Sequence, residues 1–228
     1  MNRMLSVGTL LLLLTGTRSV LGQQYTNLIQ DGSLSQWMLP NGDAVDNGWQ
    51  IEAGGLLHLA GKGDNILTRD EYQDFDLWFE YRIEEKGNSG IKYRVQKFGN
   101  SWLGCEYQIQ DDSAFPLLDP KHYTASLYDV FDKSNAIFER KYAPAGQFNV
   151  GRIVVQNNRI RHWMNGNLII DELDCSARFY DAVQNSKFRD NKGFGTNPSG
   201  RLMLTDHGSD VWYKNLFIRR LSPRLCVP

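Results

Sequence analysis

Between residues 75 and 110 apolar and polar side chains take turns along the chain. Phe75, Leu77, Phe79, Tyr81 and Ile83 interleave with Asp76, Trp78, Glu80 and Arg82. Ile91, Tyr93 and Val95 interleave with Lys92, Arg94 and Gln96, and Cys105, Tyr107 and Ile109 interleave with Glu106, Gln108 and Gln110. A period of two predicts strands with one buried face. Set side by side, the second and third strands bury their apolar residues and present Lys92, Arg94, Glu106, Gln108 and Gln110 together. That row of charges and amides suits a polyhydroxylated ligand.

Elsewhere the pattern is finer. From Leu28 to Leu59, short apolar fragments are cut by Asp31-Gly32, Asn41-Gly42, Asn47-Gly48 and Gly54-Gly55, the punctuation of small strands and hairpins. Arg152–Gln156 and Arg159–Met164 read as strands, and Asn165-Gly166 before Leu168-Ile169-Ile170 is a hairpin signal. Arg201–Thr205 and Val211–Leu221 form a further strand pair joined by Asp206–Asp210. Two stretches lack a sustained period: Asp111–Ala145, with Pro116, Pro120, His122, Tyr123, Tyr128 and Asp129, and the polar Ser176–Ser199. The second reads as a loop or lid with one short helical turn near Phe179–Val183. Roughly a dozen short strands without α/β alternation predict an all-β sandwich closed as a jelly roll.

Length and composition add bounds to this picture. At 228 residues with 41% hydrophobic content, the chain fits one β-rich domain, spanning 25–222 before a short tail at 223–228. A net charge of -1 gives no electrostatic case for nucleic acid or an anionic membrane. Residues 1–22 carry an early Arg3, the apolar run Leu10–Leu14 and Gly22 before Gln23, which reads as a cleaved secretory signal peptide. The mature protein is then expected to be periplasmic or secreted, with no membrane segment. In that oxidising setting Cys105, mid-strand, reads as a buried small hydrophobe, and Cys175 with Cys226 as the plausible disulfide pair.

Several pieces, in their order and spacing, resemble the 3-keto-disaccharide hydrolase domain family, formerly a domain of unknown function. They include Gly87-Asn-Ser-Gly-Ile91, Gly104-Cys-Glu-Tyr-Gln-Ile109 with Asp111, and Ala125-Ser-Leu-Tyr128. Further along come Arg161-His-Trp-Met-Asn-Gly166, Ser186-Lys-Phe188, Gly193-Phe-Gly195 and Leu204-Thr-Asp-His-Gly208. The resemblance spans about Leu28 to Leu221. It implies a concanavalin A-like jelly roll whose concave sheet binds sugar, with cleavage of 3-keto-glycosides as the associated activity. Thr205 stands where Gln is usual in that family and Arg201 where His is common.

A ketone at C3 of a sugar acidifies the C2 proton, so elimination of the C1 substituent followed by addition of water cleaves the glycosidic bond. This needs a base, a group to stabilise the enolate oxygen and an acid near the glycosidic oxygen. His162 and His207 are bases by type, and Glu106 becomes one if desolvated. The expected catalytic group is Glu106, His162 and His207, with Asn88, Lys92, Arg94, Trp102, Gln108 and Asp206 binding the carbohydrate. Trp102 is singled out for sugar stacking because it lies in a Gly-Asn-Ser loop. No cofactor is certain, but two imidazoles and a carboxylate can hold a divalent metal ion, so Glu106, His162 and His207 are also metal candidates. The Asp111-Asp112 and Asp206–Asp210 turns are candidates for calcium. The reading from a different class is a non-catalytic, lectin-like sugar-binding module on the same fold.

Overall fold

The computed structural model describes residues 24–29, 32–132 and 142–222. The N-terminal segment read as a signal peptide, and Cys226, lie outside the described residues. Thirteen strands, β1 (Thr26–Asn27), β2 (Trp37–Met38), β3 (Trp49–Glu52), β4 (Leu56–Leu59), β5 (Ile66–Thr68), β6 (Phe75–Ile83), β7 (Asn88–Phe98), β8 (Ser101–Gln110), β9 (Asn149–Gln156), β10 (Arg159–Met164), β11 (Asn167–Leu173), β12 (Arg201–Asp206) and β13 (Val211–Arg220), form two antiparallel sheets. The larger sheet runs β11-β10-β9-β6-β13-β4-β3 with β1 on β13, and the smaller runs β2-β5-β12-β7-β8. This is the jelly-roll sandwich the alternation predicts.

The alternating apolar residues meet between the sheets. Phe75, Leu77, Phe79, Tyr81 and Ile83 of β6 are all buried there, against Ile91 and Tyr93 of β7 and Tyr107 and Ile109 of β8. Polar atoms taken into this core are paired, as burial requires. Tyr213 shares a hydrogen bond of 3.0 Å with Ser89 across the sheets, and Tyr107 donates to the Trp163 carbonyl at 3.1 Å. Cys105 lies in the same layer, and burial pushes its thiol up to about 12, so it behaves as a hydrophobe.

Asn165 and Gly166 both take positive φ, 46° and 82°, and close the β10–β11 hairpin as an Asn-Gly turn should. The stretch read as a loop or lid with a short helical turn near Phe179–Val183 supplies α1 (Ala177–Gln184), capped by Ser176, whose hydroxyl accepts from Phe179 N at 3.1 Å. Phe179 and Val183, four residues apart on one face, are buried in the core. The helix is thus a packed element. Within the excursion after β8, residues Tyr123–Phe131 run along the outer edge of that strand. Ala125 N donates to Gln108 O at 2.9 Å, Gln108 N to Ser126 O at 3.4 Å and Tyr128 N to Glu106 O at 3.0 Å. Strand β8 is therefore hydrogen-bonded on both sides.

Candidate functional site

Alternation on the small sheet decides which side chains share its outer face. On β8, Cys105, Tyr107 and Ile109 enter the core, so Glu106, Gln108 and Gln110 point the other way, and Trp102 stands on their side four residues before Glu106. Their partners are Lys92 opposite Glu106, Gly90 opposite Gln108 and Asn88 opposite Gln110. On β12, Met203 lies opposite Lys92 and Thr205 opposite Gly90. Leu67, Val95 and Met203, flanked by Met38 and Trp102, form an apolar cluster separate from the main core. The face thus divides into an apolar end and a polar end, with Glu106 and Lys92 at the junction.

Glu106 is 5% exposed, its Oε2 lies 3.9 Å from Lys92 Nζ, and its Oε1 has no hydrogen-bond partner among the described residues. A buried carboxylate with an unused oxygen is strained unless a ligand completes it. Its position depends on Gly90: a Cβ at residue 90 would overlap Glu106 Oε1 and crowd the rest of that side chain. Beyond it, Gln108 Nε2 donates to Asn88 Oδ1 at 3.0 Å and to Gln110 Oε1 at 3.2 Å, joining three amides in a row.

His207 follows β12 at the rim of this face. Its pKa is lowered from 6.5, chiefly because the surrounding protein strips hydration from the charged form; Glu106 and Asp206 oppose the shift, and Lys92 and Lys187 reinforce it. The neutral imidazole is therefore the prevailing form near pH 7. Lys187 had no assigned role in the sequence reading, yet it belongs here. Its backbone N–H donates to Asp129 Oδ2 at 2.6 Å and its ammonium sits 4.1 Å over the Tyr128 ring, the residue whose N–H binds the Glu106 carbonyl. Asp129 also binds His122 Nε2 at 2.7 Å and Lys121 Nζ at 3.2 Å. In the sequence this arrangement is marked by the density of polar and aromatic residues in the irregular stretch after β8, and by Ala125-Ser-Leu-Tyr128 and Ser186-Lys-Phe188 among the pieces that resemble the family.

Three expected site residues are elsewhere. His162 is fully buried on β10 of the opposite sheet, where Tyr93 Oη lies 2.9 Å from its Nε2 and the Ala125 carbonyl 3.0 Å from its Nδ1. Burial lowers its pKa to about 4, so it is a neutral core residue. Arg94 lies at a bulge where register shifts between Tyr93 and Gln96. With φ of 48° it turns away from the row, donates to Asp174 Oδ2 at 2.8 Å and Gln73 O at 3.0 Å, and pairs with Asp74 at 3.3 Å. Val95 swings to the outer face in its place. Asp206 spends its carboxylate on Gly63 N at 3.0 Å and Gly208 N at 2.6 Å, holding the turn. Asn88, Lys92, Trp102, Gln108, Glu106 and His207 do share the outer face.

With His162 across the sandwich, the three residues named as metal ligands are not assembled. Among the described residues no group of three or more His, Cys, Asp or Glu side chains converges as a metal site. The aspartates read as calcium ligands serve the backbone: Asp111 accepts from Lys86 N at 2.9 Å, and Asp112 from Thr124 N at 2.9 Å. Arg201 clamps the Thr68 carbonyl at 2.8 Å, while Thr205 Oγ1 donates to Gly90 O at 3.3 Å. A cavity of about 470 Å³ lies far from all this, on the outer face of the large sheet between Tyr25, Trp78, Val150 and Phe217.

Residues 24–219 match the profile of the 3-keto-alpha-glucoside-1,2-lyase-like domain. The chain belongs to that family. A family relative, the 3-keto-disaccharide hydrolase of Bacteroides thetaiotaomicron, is 26% identical over 232 residues, 87% of this chain and 79% of the relative. Among solved structures, a candidate glycosyl hydrolase from Parabacteroides distasonis superposes with a TM-score of 0.78 at 26% identity, covering 87% of this chain and 94% of that one. A second from the same organism gives 0.67 at 22% identity over 87% and 100%, a likeness of fold.

Proposed function

We propose that this protein is a carbohydrate-active enzyme of the glycosidase type that cleaves 3-keto-glycosides, 3-keto-disaccharides among them, on the outer face of the small sheet. The observation that carries the reading is Glu106, a buried carboxylate with one unbonded oxygen, beside the Lys92 ammonium and at the head of a row of amides. The family membership and the Bacteroides thetaiotaomicron relative support the same chemistry.

In this mechanism Glu106 takes the C2 proton, acidified by the neighbouring ketone. The electron pair forms the C1–C2 double bond as the C1–O bond breaks, and the leaving oxygen takes a proton from water. Lys92 stabilises negative charge on the C3 oxygen as the proton leaves. A water molecule then adds at C1 while neutral His207 accepts its proton and passes it to the hydroxide left by the first step, and protonated Glu106 returns a proton to C2. Atoms balance as net hydrolysis. The N-terminal pattern Leu10–Leu14 to Gly22 supports export of the protein after cleavage, which N-terminal sequencing of the mature protein tests.

The deciding experiment incubates the purified protein with 3-keto-disaccharides and their unoxidised parents and follows released monosaccharide. Release from the keto forms alone, reduced by about 10²–10⁴ in Glu106→Gln, is the expected result. Saturable binding without release from any sugar overturns the catalytic reading in favour of a lectin-like module.

A further inference from the structure

The amide row has a definite hydrogen-bonding polarity. Gln108 Nε2 gives its two N–H groups to Asn88 Oδ1 and Gln110 Oε1, so both neighbouring carbonyls are used as acceptors. The amide groups that make no bond within the row are Asn88 Nδ2, Gln108 Oε1 and Gln110 Nε2: donor, acceptor, donor. Gln110 is 6% exposed and its Nε2 has no partner among the described residues. An orphaned buried donor at the end of this row points to a ligand that completes it.

The complement of donor, acceptor, donor is a pair of adjacent oxygens, one of which carries a hydrogen. A vicinal diol on a sugar ring meets that description: each oxygen accepts from one terminal amide and one hydroxyl donates to Gln108. Position adds a second constraint. Gln110 lies four residues beyond Glu106 on the same strand, about 13 Å between Cα atoms at the usual strand rise. That is longer than one sugar ring, so the ring losing its C2 proton at Glu106 and the ring read by Gln110 are different rings.

We propose that Asn88, Gln108 and Gln110 form a subsite for the second ring of a disaccharide, reading a vicinal pair of its hydroxyls, with Gln110 as the specificity-determining residue. This rests on the assignment of Glu106 as the reacting end of the site. Bound there, the second ring supplies the missing acceptor for Gln110, and a ring whose diol has the wrong stereochemistry leaves that donor unmade.

Gln110→Glu tests the proposal, because it keeps an oxygen for Gln108 and the side-chain volume but removes the free N–H donors; Gln110→Met is the uncharged control. The substrates are a 3-keto-diglucoside, the same compound lacking one hydroxyl of its second ring, and a 3-keto methyl glucoside. Both variants are expected to raise KM for the diglucoside about tenfold or more with kcat within about twofold, and to leave the methyl glucoside unchanged. A deoxy compound missing the relevant hydroxyl should show the same rise with the wild-type protein and no further rise with the variants. An equal effect on the methyl glucoside, or none on the diglucoside, overturns the subsite. If the wild-type protein turns over none of these sugars, the catalytic reading has failed by itself. Calorimetric titration with the diglucoside then decides the subsite: binding weakened in both variants upholds it, and unchanged or absent binding overturns it.

Discussion

The carboxylate of Glu106 lies across the bare Cα of Gly90, so close that a single methyl group at position 90 would overlap Oε1. The two residues are diagonal neighbours on paired strands, since Gly90 faces Gln108 and Lys92 faces Glu106. The backbone of one strand therefore forms the seat for the carboxylate of the next.

Gly90→Ala separates the site from the fold. The atom in the way is the end of a flexible side chain, so Glu106 gives way and the sheet stays intact. Thermal or denaturant unfolding should shift by no more than about 1 kcal/mol, while keto-sugar cleavage falls about tenfold or more because the carboxylate is misplaced. A large loss of stability with normal specific activity would refute the arrangement.

In the proposed mechanism His207 gives the reaction its acid limb. Its pKa lies below 6.5, so the neutral form that accepts a proton is present above that pKa and is lost as pH falls through it. Turnover should rise with pH below 6.5 and then level off near neutrality, and His207→Gln should abolish the limb. Lys187→Met removes a positive charge that holds the pKa down, so in that variant the limb should move to higher pH. A pH–rate profile for each protein is the check.

His162 governs acid stability and not catalysis. In the unfolded chain it binds a proton near pH 6.5, but the folded protein resists protonation until about 4. The folded state's advantage is complete above 6.5 and disappears as pH falls from there toward 4, a loss of about 3 kcal/mol from this one residue. Urea unfolding between pH 7 and 4 should show a shallower decline in His162→Gln than in the wild-type protein, from a lower starting value. Parallel pH curves would contradict the assignment.

Arg94→Ala should cost about 3–5 kcal/mol, because Asp74 and Asp174 are left buried without their counter-charge. Asp174 already has a raised pKa from burial, which Arg94 opposes. Arg94→Lys keeps the charge but loses the forked contact to Asp174, Asp74 and the Gln73 carbonyl. Its loss, read by chemical denaturation, should be smaller but measurable, and in neither case should the KM of the surviving folded protein change greatly.

The sandwich was legible because one face of each long strand is apolar, and the same rule holds the key to two of the misplaced residues. Ile160, His162 and Met164 alternate together, and all three are buried; period two places the imidazole inward on the same terms as its neighbours. Asp206 follows Leu202 and Leu204 in the same way. Residue type outweighed position in singling them out. Arg94 was different. The alternation Lys92, Arg94, Gln96 runs on unbroken through a bulge, and nothing local in the sequence marks the extra residue; there the arginine is left-handed and pairs with two carboxylates distant in the chain, Asp74 and Asp174. The helix was legible only as the short turn near Phe179–Val183: those two alone of its eight residues are buried, too short a stripe to mark its full length among polar neighbours.

The doubly bonded edges of β8 have a consequence for how the protein moves and changes. Backbone amides on both its sides are engaged, by β7 and by the Tyr123–Phe131 segment, so Gln108 and its neighbours should exchange their amide hydrogens with solvent only in the rarer openings of the whole sandwich. A site mounted on such a strand cannot adapt by loop motion. Among descendants of this chain, new sugar preferences are then expected to arise at side chains such as Gln110, one replacement at a time, over an unchanged backbone.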